Sequence, residues 1–175
     1  MDREELWNRL NSGERNFAGV DWSGSILQDV NMTGINLRGA NLSQTDLCEC
    51  IIDHANLEGI NFEGARLEEV RFEGSNLGGA NFNRANLFRA AIYSSVLDDA
   101  TFQCANLTFT SFANSSVKRG NFKDIIIIKG GELYTDITNF QGATIDAEVL
   151  RGYNSVRTIL PNGDTFTYPG RSEQE

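Results

Sequence analysis

Residues 80–89 read ANFNR-ANLFR, two copies of a five-residue unit in which alanine and asparagine precede a large apolar residue. A large apolar residue recurs at every fifth position from Phe17 to Ile127, which makes 23 consecutive repeats without a miss. Two positions before it, 19 of these 23 residues are Ala, Ser, Thr, Val, Cys or Gly. A period of five fits neither the α-helix nor the β-strand, so the chain must turn once in every repeat.

If each repeat forms one side of a square coil, four turns close the coil. The large residue fills the interior, and the small residue occupies the corner where the chain comes nearest to the axis. The Asn or Asp between them can hydrogen-bond to nearby backbone in a turn. Four repeats complete a coil of 20 residues, and coils stack at about 4.8 Å through strand-like backbone hydrogen bonds. Residues 15–129 therefore make just under six coils, in a stack about 28 Å tall.

Residues twenty apart occupy equivalent places in successive coils and form columns inside the stack. One column predicts a ladder of four stacked rings, formed by Phe62, Phe82, Phe102 and Phe122. The two columns beside it are aliphatic, and the fourth is mixed. Like-on-like packing stabilises such ladders in stacked parallel β-structure.

The repeat resembles the pentapeptide-repeat family, whose consensus A-[DN]-L-x-x is matched by Ala40-Asn41-Leu42, Ala85-Asn86-Leu87 and their neighbours. The resemblance covers about two-thirds of the chain and implies an all-β fold, the right-handed quadrilateral β-helix. Gly13-Glu14-Arg15-Asn16-Phe17 is similar to the start of cyanobacterial members that regulate heterocyst differentiation. Ile159-Leu160-Pro161-Asn162-Gly163 is similar to the closing segment common in that group. These flanks imply a role in regulating development or signalling.

An open stack would expose apolar residues and unpaired strand edges, so we expect a cover at both ends of the repeat region 15–129. Residues 1–14 predict an N-terminal cap with a helix over Arg3–Leu10 and Asp2 as its N-cap. This helix is expected to turn three apolar side chains toward the first coil, Leu6, Trp7 and Leu10. Cap and coils together should form one cooperative domain.

Residues 130–175 predict an irregular C-terminal cap. The spacing of five returns there at three apolar positions, Phe140, Ile145 and Leu150. This spacing indicates a partial last coil or a cap with a short helix near Asp146–Leu150. Asn162-Gly163 predicts a hairpin turn between two short strands. We expect Arg171–Glu175 to be a frayed tail.

Composition excludes several classes of protein. With 24 acidic and 15 basic residues the net charge is −9, which argues against direct nucleic-acid binding because Lys and Arg make the phosphate contacts. The longest apolar run, Ile125–Ile128, is too short to cross a membrane. Cys48, Cys50 and Cys104 lack zinc-site spacing and are odd in number, so we expect three free thiols in a cytoplasmic protein.

The chain offers no catalytic residue, metal ligand or cofactor-binding residue that we can assign from the sequence. His54 is the only histidine, and its outward position in the repeat predicts a solvated surface residue. We therefore expect a protein that is not an enzyme and takes no cofactor. A hydrolase is the least favoured alternative.

Seven carboxylates form what we name the acidic girdle: Glu49, Asp53, Glu58, Glu63, Glu68, Glu69 and Glu73. Family members that protect DNA gyrase from quinolones look like duplex DNA, because acidic residues run along the outside of a rod-shaped dimer. Here the acids lie on all four sides of about one coil, which favours a solubilising ring over a gyrase-binding DNA mimic. The column Asp29, Glu49, Glu69 is the best support for mimicry, and Arg89 reverses its sign.

Outward apolar residues are the candidates for binding a partner: Phe88, Tyr93, Phe109 and Ile128. Exposed apolar clusters usually mark a contact. Either the tail after Gly130 covers this patch, or the patch binds another protein or a second copy. We predict a non-enzymatic protein-interaction scaffold, with a monomer favoured over a homodimer and no membrane attachment. A gyrase-modulating DNA mimic is the alternative function.

Overall fold

The computed structural model describes residues 1–126, 138–145 and 158–166. The regular elements in that part of the chain are a helix and four short strands: α1 (Arg3–Asn11), β1 (Arg71–Glu73), β2 (Ala91–Tyr93), β3 (Thr158–Ile159) and β4 (Thr165–Phe166). β1 pairs with β2 in parallel, and β3 pairs with β4 in an antiparallel hairpin. Most other pairing occurs through single bridges between coils.

Parallel pairing with a step of 20 residues builds the stack. The residue that precedes each large apolar residue bridges its equivalent 20 positions later, without interruption from Asn16↔Asn36 to Asn106↔Ile126. The backbone bonds run both ways: the Phe82 N–H donates to the Thr101 carbonyl at 2.7 Å, and the Thr101 N–H donates to the Ala80 carbonyl at 2.9 Å. Four repeats per coil are thus as the period predicts.

A tight turn follows each large apolar residue. At Phe82 the carbonyl accepts from the Ala85 N–H at 3.0 Å, and Arg84 between them has a φ of +60°. Glycine suits this left-handed position, as at Gly79 with a φ of +67°, yet fourteen non-glycine residues in the described part of the chain also adopt it. The Asn81 side chain supports the turn by accepting from the Asn83 N–H at 3.0 Å, which is the role expected of Asn and Asp in the repeat.

The interior of the stack contains the phenylalanine ladder. Ring centroids are 5.2 Å apart from Phe62 to Phe82, 4.9 Å from Phe82 to Phe102 and 4.7 Å from Phe102 to Phe122. The planes of the Phe82 and Phe102 rings differ by only 4°. All four side chains are buried, and Phe82 and Phe102 each pack between the rings of the two adjacent coils.

Coil-type pairing continues in the described part of the C-terminal region. Two bridges, Ser116↔Asn139 and Asn121↔Thr144, have a step of 23 residues, three more than in the preceding coils, and Asn139 bridges Ile159 with the usual step of 20. The three extra residues fall within 127–137, outside the described residues. The predicted boundary at residue 129 falls there too and stays a prediction.

The hairpin of β3 and β4 turns at Asn162-Gly163, as predicted. The Gly163 N–H donates to the Leu160 carbonyl at 2.9 Å, and Gly163 has a φ of +90°. The helix predicted near Asp146–Leu150 and the tail Arg171–Glu175 lie outside the described residues.

The helix α1 lies against the first coil. The Asp2 carboxylate accepts from the Glu5 N–H at 2.8 Å, which is the predicted N-cap, and Leu6 and Leu10 are buried. The inward prediction for Trp7 is wrong, because 59% of its surface is exposed. Leu6 and Leu10 are four residues apart and share one helix face, whereas Trp7 is rotated by about 100° from Leu6 and leaves that face.

Replacing Phe82 by Ala should lower the free energy of unfolding by about 3 to 5 kcal/mol, because stacked coils cannot collapse into the void between Phe62 and Phe102. Chemical denaturation measures the loss. Lys123→Ala on the same side of the stack is the matched control, since Lys123 is exposed. Equal denaturation midpoints for the two variants would show that the Phe82 ring does not pack as described.

Leu6→Ala and Trp7→Ala separate the buried and exposed residues of α1. Leu6→Ala should cost about 2 to 5 kcal/mol and loosen the cover over the first coil. Trp7→Ala should change the stability by less than about 0.5 kcal/mol, because its side chain is mainly in solvent. Thermal melts of both variants test this, and a larger loss for Trp7→Ala would contradict the orientation of α1.

Candidate functional site

Two aromatic side chains lie together on the outside of adjacent coils, and we name Phe88 and Phe109 the aromatic wall. Their ring centroids are 5.8 Å apart in an edge-to-face arrangement with an interplanar angle of 78°. The Arg89 guanidinium lies 5.1 Å from the centre of the Phe88 ring. Both rings are half-buried, so each keeps part of its surface available to a partner.

The turn geometry directs both rings outward. Leu87 and Leu107 fill the interior, and the residues that follow an interior residue point away from it. The Asn86 side chain accepts from the Phe88 N–H at 3.3 Å, which holds that turn. Phe109 occupies the left-handed position of its turn, with a φ of +60°.

The other predicted members of the patch are more scattered. Tyr93 ends β2 on the neighbouring side and is 38% exposed, but no ring contact joins it to Phe88 within the described ranges. Ile128 lies outside the described residues. Sequence reasoning missed Ile126, which is 48% exposed on the same side as the aromatic wall, because its position normally carries a polar residue. Val96, 47% exposed, was missed for the same reason.

Arginines, most of them from neighbouring coils, pair with most of the acidic girdle. Five of its seven carboxylates are ion-paired, in the pairs Arg38–Glu58, Arg66–Glu68, Arg71–Asp53, Arg84–Glu63 and Arg89–Glu69. Among the described residues, Glu49 and Glu73 have no ion-pair partner. Sequence reasoning missed these pairs, although four of them link residues 18 to 21 positions apart.

Asp53 departs from the expected solvated ring, because it is only 4% exposed. Its carboxylate accepts from the Arg71 guanidinium and, at 3.0 Å, from the Glu73 N–H. These bonds allow a carboxylate to sit at a buried position. Asp53 therefore acts as a link between coils and is not part of a charged outer surface.

The cysteines are separate free thiols, as predicted. Burial, together with the hydrogen bond to Glu68 at 2.9 Å, raises the pKa of the Cys48 thiol to about 12. Burial raises the pKa of Cys50 to about 11, while Cys104 is exposed. A thiol with a raised pKa stays protonated near neutrality and is a poor nucleophile. Cys48 and Cys50 therefore have the environment of structural residues and not of reactive thiols.

His54 is exposed at the left-handed position of its turn. Its ring lies over Gly74 in the next coil, so closely that a Cβ on Gly74 would come within 2.7 Å of Nδ1. Among the described residues, no three His, Cys, Asp or Glu side chains are placed to hold a metal ion. Within the same ranges, no helix combines the length and apolar character needed to cross a bilayer.

Comparisons with known proteins agree with this architecture. The family model of pentapeptide repeats, in 8 copies, matches residues 15–44, 25–64 and 65–103. Curated protein sequences give no match. The matching model describes a repeat family, and no catalytic family is indicated.

Several solved structures are similar to the chain. HetL, a pentapeptide repeat protein involved in heterocyst differentiation regulation from the cyanobacterium Nostoc sp. strain PCC 7120, is 21% identical, with 82% of this chain and 81% of HetL covered and a TM-score of 0.31. Rfr23, from the cyanobacterium Cyanothece 51142, is 20% identical, with coverage of 79% and 99% and a TM-score of 0.44. The plasmid-mediated fluoroquinolone resistance protein QnrB1 is 16% identical, with coverage of 89% and 85% and a TM-score of 0.42.

The matched residues span just over half of the 175-residue chain. They coincide with coils that repeat every five residues and bridge every twenty. The chain belongs to the pentapeptide-repeat family, whose members fold as right-handed quadrilateral β-helices.

Proposed function

We propose that the protein is a non-enzymatic interaction scaffold and that the aromatic wall binds a partner protein. The observation that carries this proposal is the edge-to-face pair of Phe88 and Phe109 on the outside of the stack. Interface anchors are typically aromatic or arginine side chains in a desolvated centre, and Arg89 lies over the Phe88 ring of this pair. Exposed Ile126 extends the apolar surface by one coil.

The stack is suited to presenting such a surface. Residues beside Phe88 are bonded through their backbones to both adjacent coils: the Leu87 N–H donates to the Asn106 carbonyl at 2.9 Å, and the Asn86 N–H donates to the Ala65 carbonyl at 2.9 Å. A surface fixed in this way loses little conformational entropy when it binds. The favourable free energy of burying apolar area is therefore not offset by the entropy cost of ordering the backbone.

Two occupants of the aromatic wall compete in this proposal. A partner protein is the first, and the tail after Gly130, much of which lies outside the described residues, is the second. A homodimer through the wall is a variant of the first, although we favour a monomer. We also propose capping roles for α1, whose Leu6 and Leu10 are buried, and for the C-terminal region.

The biological setting rests on other features. The flanks at 13–17 and 159–163 support a regulatory role in cyanobacterial development or signalling, because they are similar to segments of such proteins. Three unpaired thiols support a cytoplasmic location, where thiols stay reduced.

Modulation of DNA gyrase is the second candidate function. Its support is the acidic column Asp29, Glu49, Glu69. Ion pairs weaken it, because Arg3 pairs with Asp29 and Arg89 pairs with Glu69, which leaves Glu49 unpaired among the described residues. We expect no change in gyrase supercoiling when the protein is added in excess. Inhibition of supercoiling, or protection of gyrase from a quinolone, would favour the second candidate instead.

The double variant Phe88→Ser with Phe109→Ser tests the aromatic wall. If the wall binds a partner, the variant should lose that protein in pull-downs from a cyanobacterial lysate while its melting temperature stays near wild type. Val96→Ser is the matched control, because it removes an exposed apolar side chain from the opposite side of the stack. The control should retain the partner.

The same double variant distinguishes the tail. If the segment after Gly130 covers the wall, the two serines should lower the melting temperature and make that segment sensitive to protease, since apolar burial contributes about 25 cal/mol per Å². Unchanged pull-down, stability and protease resistance would contradict both versions of the proposal.

A further inference from the structure

A cleft of about 480 Å³ lies between α1 and the first coil, at the end of the stack away from the aromatic wall. Ligand pockets in proteins commonly enclose about 300 to 1,000 Å³. Trp7 lines the cleft from α1, and Arg15, Asp29 and Asn31 line it from the first coil. The proposed interaction scaffold uses none of these residues, and only the gyrase alternative involves Asp29.

Arg15 contributes an uncompensated positive charge to this cleft. Nine arginines fall in the described ranges, and Arg15 alone among them has no carboxylate within ion-pair distance. Its Nη1 donates to the Leu10 carbonyl at 2.6 Å and to the Glu14 carbonyl at 2.8 Å. These bonds fix the guanidinium, and Nε and Nη2 remain without an acceptor among the described residues. The chain has a net charge of −9, so a guanidinium that is held in place without a carboxylate partner is unusual in this protein.

Trp7 adds a large apolar plane. Its side chain is 59% exposed, and it lines both this cleft and a shallower one of about 360 Å³ beside it. The indole N–H has no acceptor within the described residues. A tryptophan that is apolar on its faces and polar at one edge is well suited to contact a peptide.

The floor of the cleft includes an open strand edge at Asn31. One coil further on, the Ile51 N–H donates to the Val30 carbonyl at 3.1 Å and the Ile51 carbonyl accepts from the Met32 N–H at 2.7 Å. Asn31 belongs to the first coil, so its own N–H and carbonyl have no such partners in the described part of the chain. Unpaired edge groups of this kind accept an added strand.

We propose that this cleft binds an extended peptide segment of a partner protein that carries a carboxylate. The peptide backbone pairs with Asn31, an apolar side chain packs on Trp7, and the carboxylate accepts from Arg15. Charge complementarity selects the acidic peptide, because the nearby Arg3 is already paired with Asp29 at 3.1 Å and Arg15 is not paired. The site is separate from the aromatic wall and does not depend on the proposed function.

Panning a random heptapeptide display library against the full chain tests the proposal. We expect recovered peptides to share an Asp or Glu beside an apolar residue, and synthetic copies to change the fluorescence of Trp7. Trp22 is 4% exposed and buried in the stack, so the change should vanish in Trp7→Phe. Arg15→Gln should weaken binding about tenfold or more, as expected for loss of a charge-assisted hydrogen bond.

The controls decide between this cleft and other sites. Arg119→Gln, which removes an exposed ion-paired arginine from a distant coil, should leave the affinity within about twofold. If Arg15→Gln fails to fold, Trp7→Ala and a peptide with Gln in place of Glu measure the same contacts, and both should bind about tenfold more weakly. A library without Arg15-dependent clones, an amide peptide that binds equally well, or binding abolished by Phe88→Ser with Phe109→Ser would overturn the proposal.

Discussion

Backbone hydrogen bonds between successive coils fix a step of 20 residues from one coil to the next, and the rest of the structure depends on this step. The Phe82 N–H reaches the Thr101 carbonyl, and the Thr101 N–H reaches the Ala80 carbonyl. Such pairs can form on all four sides only if every repeat has the same length and turns through the same angle. That requirement explains why fourteen non-glycine residues of the described ranges have a left-handed φ, although this conformation is unfavourable for most of them.

A fixed step places the side chains of equivalent positions directly above one another. These side chains form hydrogen bonds from coil to coil. Asn41 donates to Asp21 at 3.1 Å, Asn61 to Asn41 at 3.2 Å and Asn81 to Asn61 at 3.0 Å, so that amides form a ladder outside the phenylalanine ladder. Ser75 and Ser95 are linked in the same manner at a corner, where the Ser75 N–H donates to the Ser95 Oγ at 3.1 Å. Buried hydroxyls at small-residue positions are thereby satisfied, and no buried side-chain nitrogen or oxygen in the described ranges lacks a partner.

The regularity of the chain also determines how much of it was predictable. A period of five without a miss predicts the coil, the columns and the interior phenylalanines, because each interior position depends only on its number in the repeat. The exposure of Trp7 depends on the rotation of a short helix. The burial of Asp53 and the arginine ion pairs depend on the reach of a long side chain and on which of several nearby partners it contacts. The step of 23 residues from Ser116 to Asn139 appears in the sequence only as a shift of register, because the period of five breaks after Ile127 and returns at Phe140.

Recognition features stand out where a column departs from its own pattern. Phe88 occupies a column that holds Gln28, Cys48 and Glu68 in the preceding coils. Arg89 and Phe109 occupy the next column, which holds Asp29, Glu49 and Glu69 in the preceding coils. Arg15 likewise occupies a position that is small in most repeats. Stacking does not require Phe88, Arg89 or Phe109, since polar side chains occupy the same outer positions in other coils. Arg15 instead occupies a small-residue position of the first coil, where it is exposed. Ion pairing leaves the girdle with little net charge that could act over a long range. We therefore expect a partner to recognise the residues that have no equivalent in the next coil.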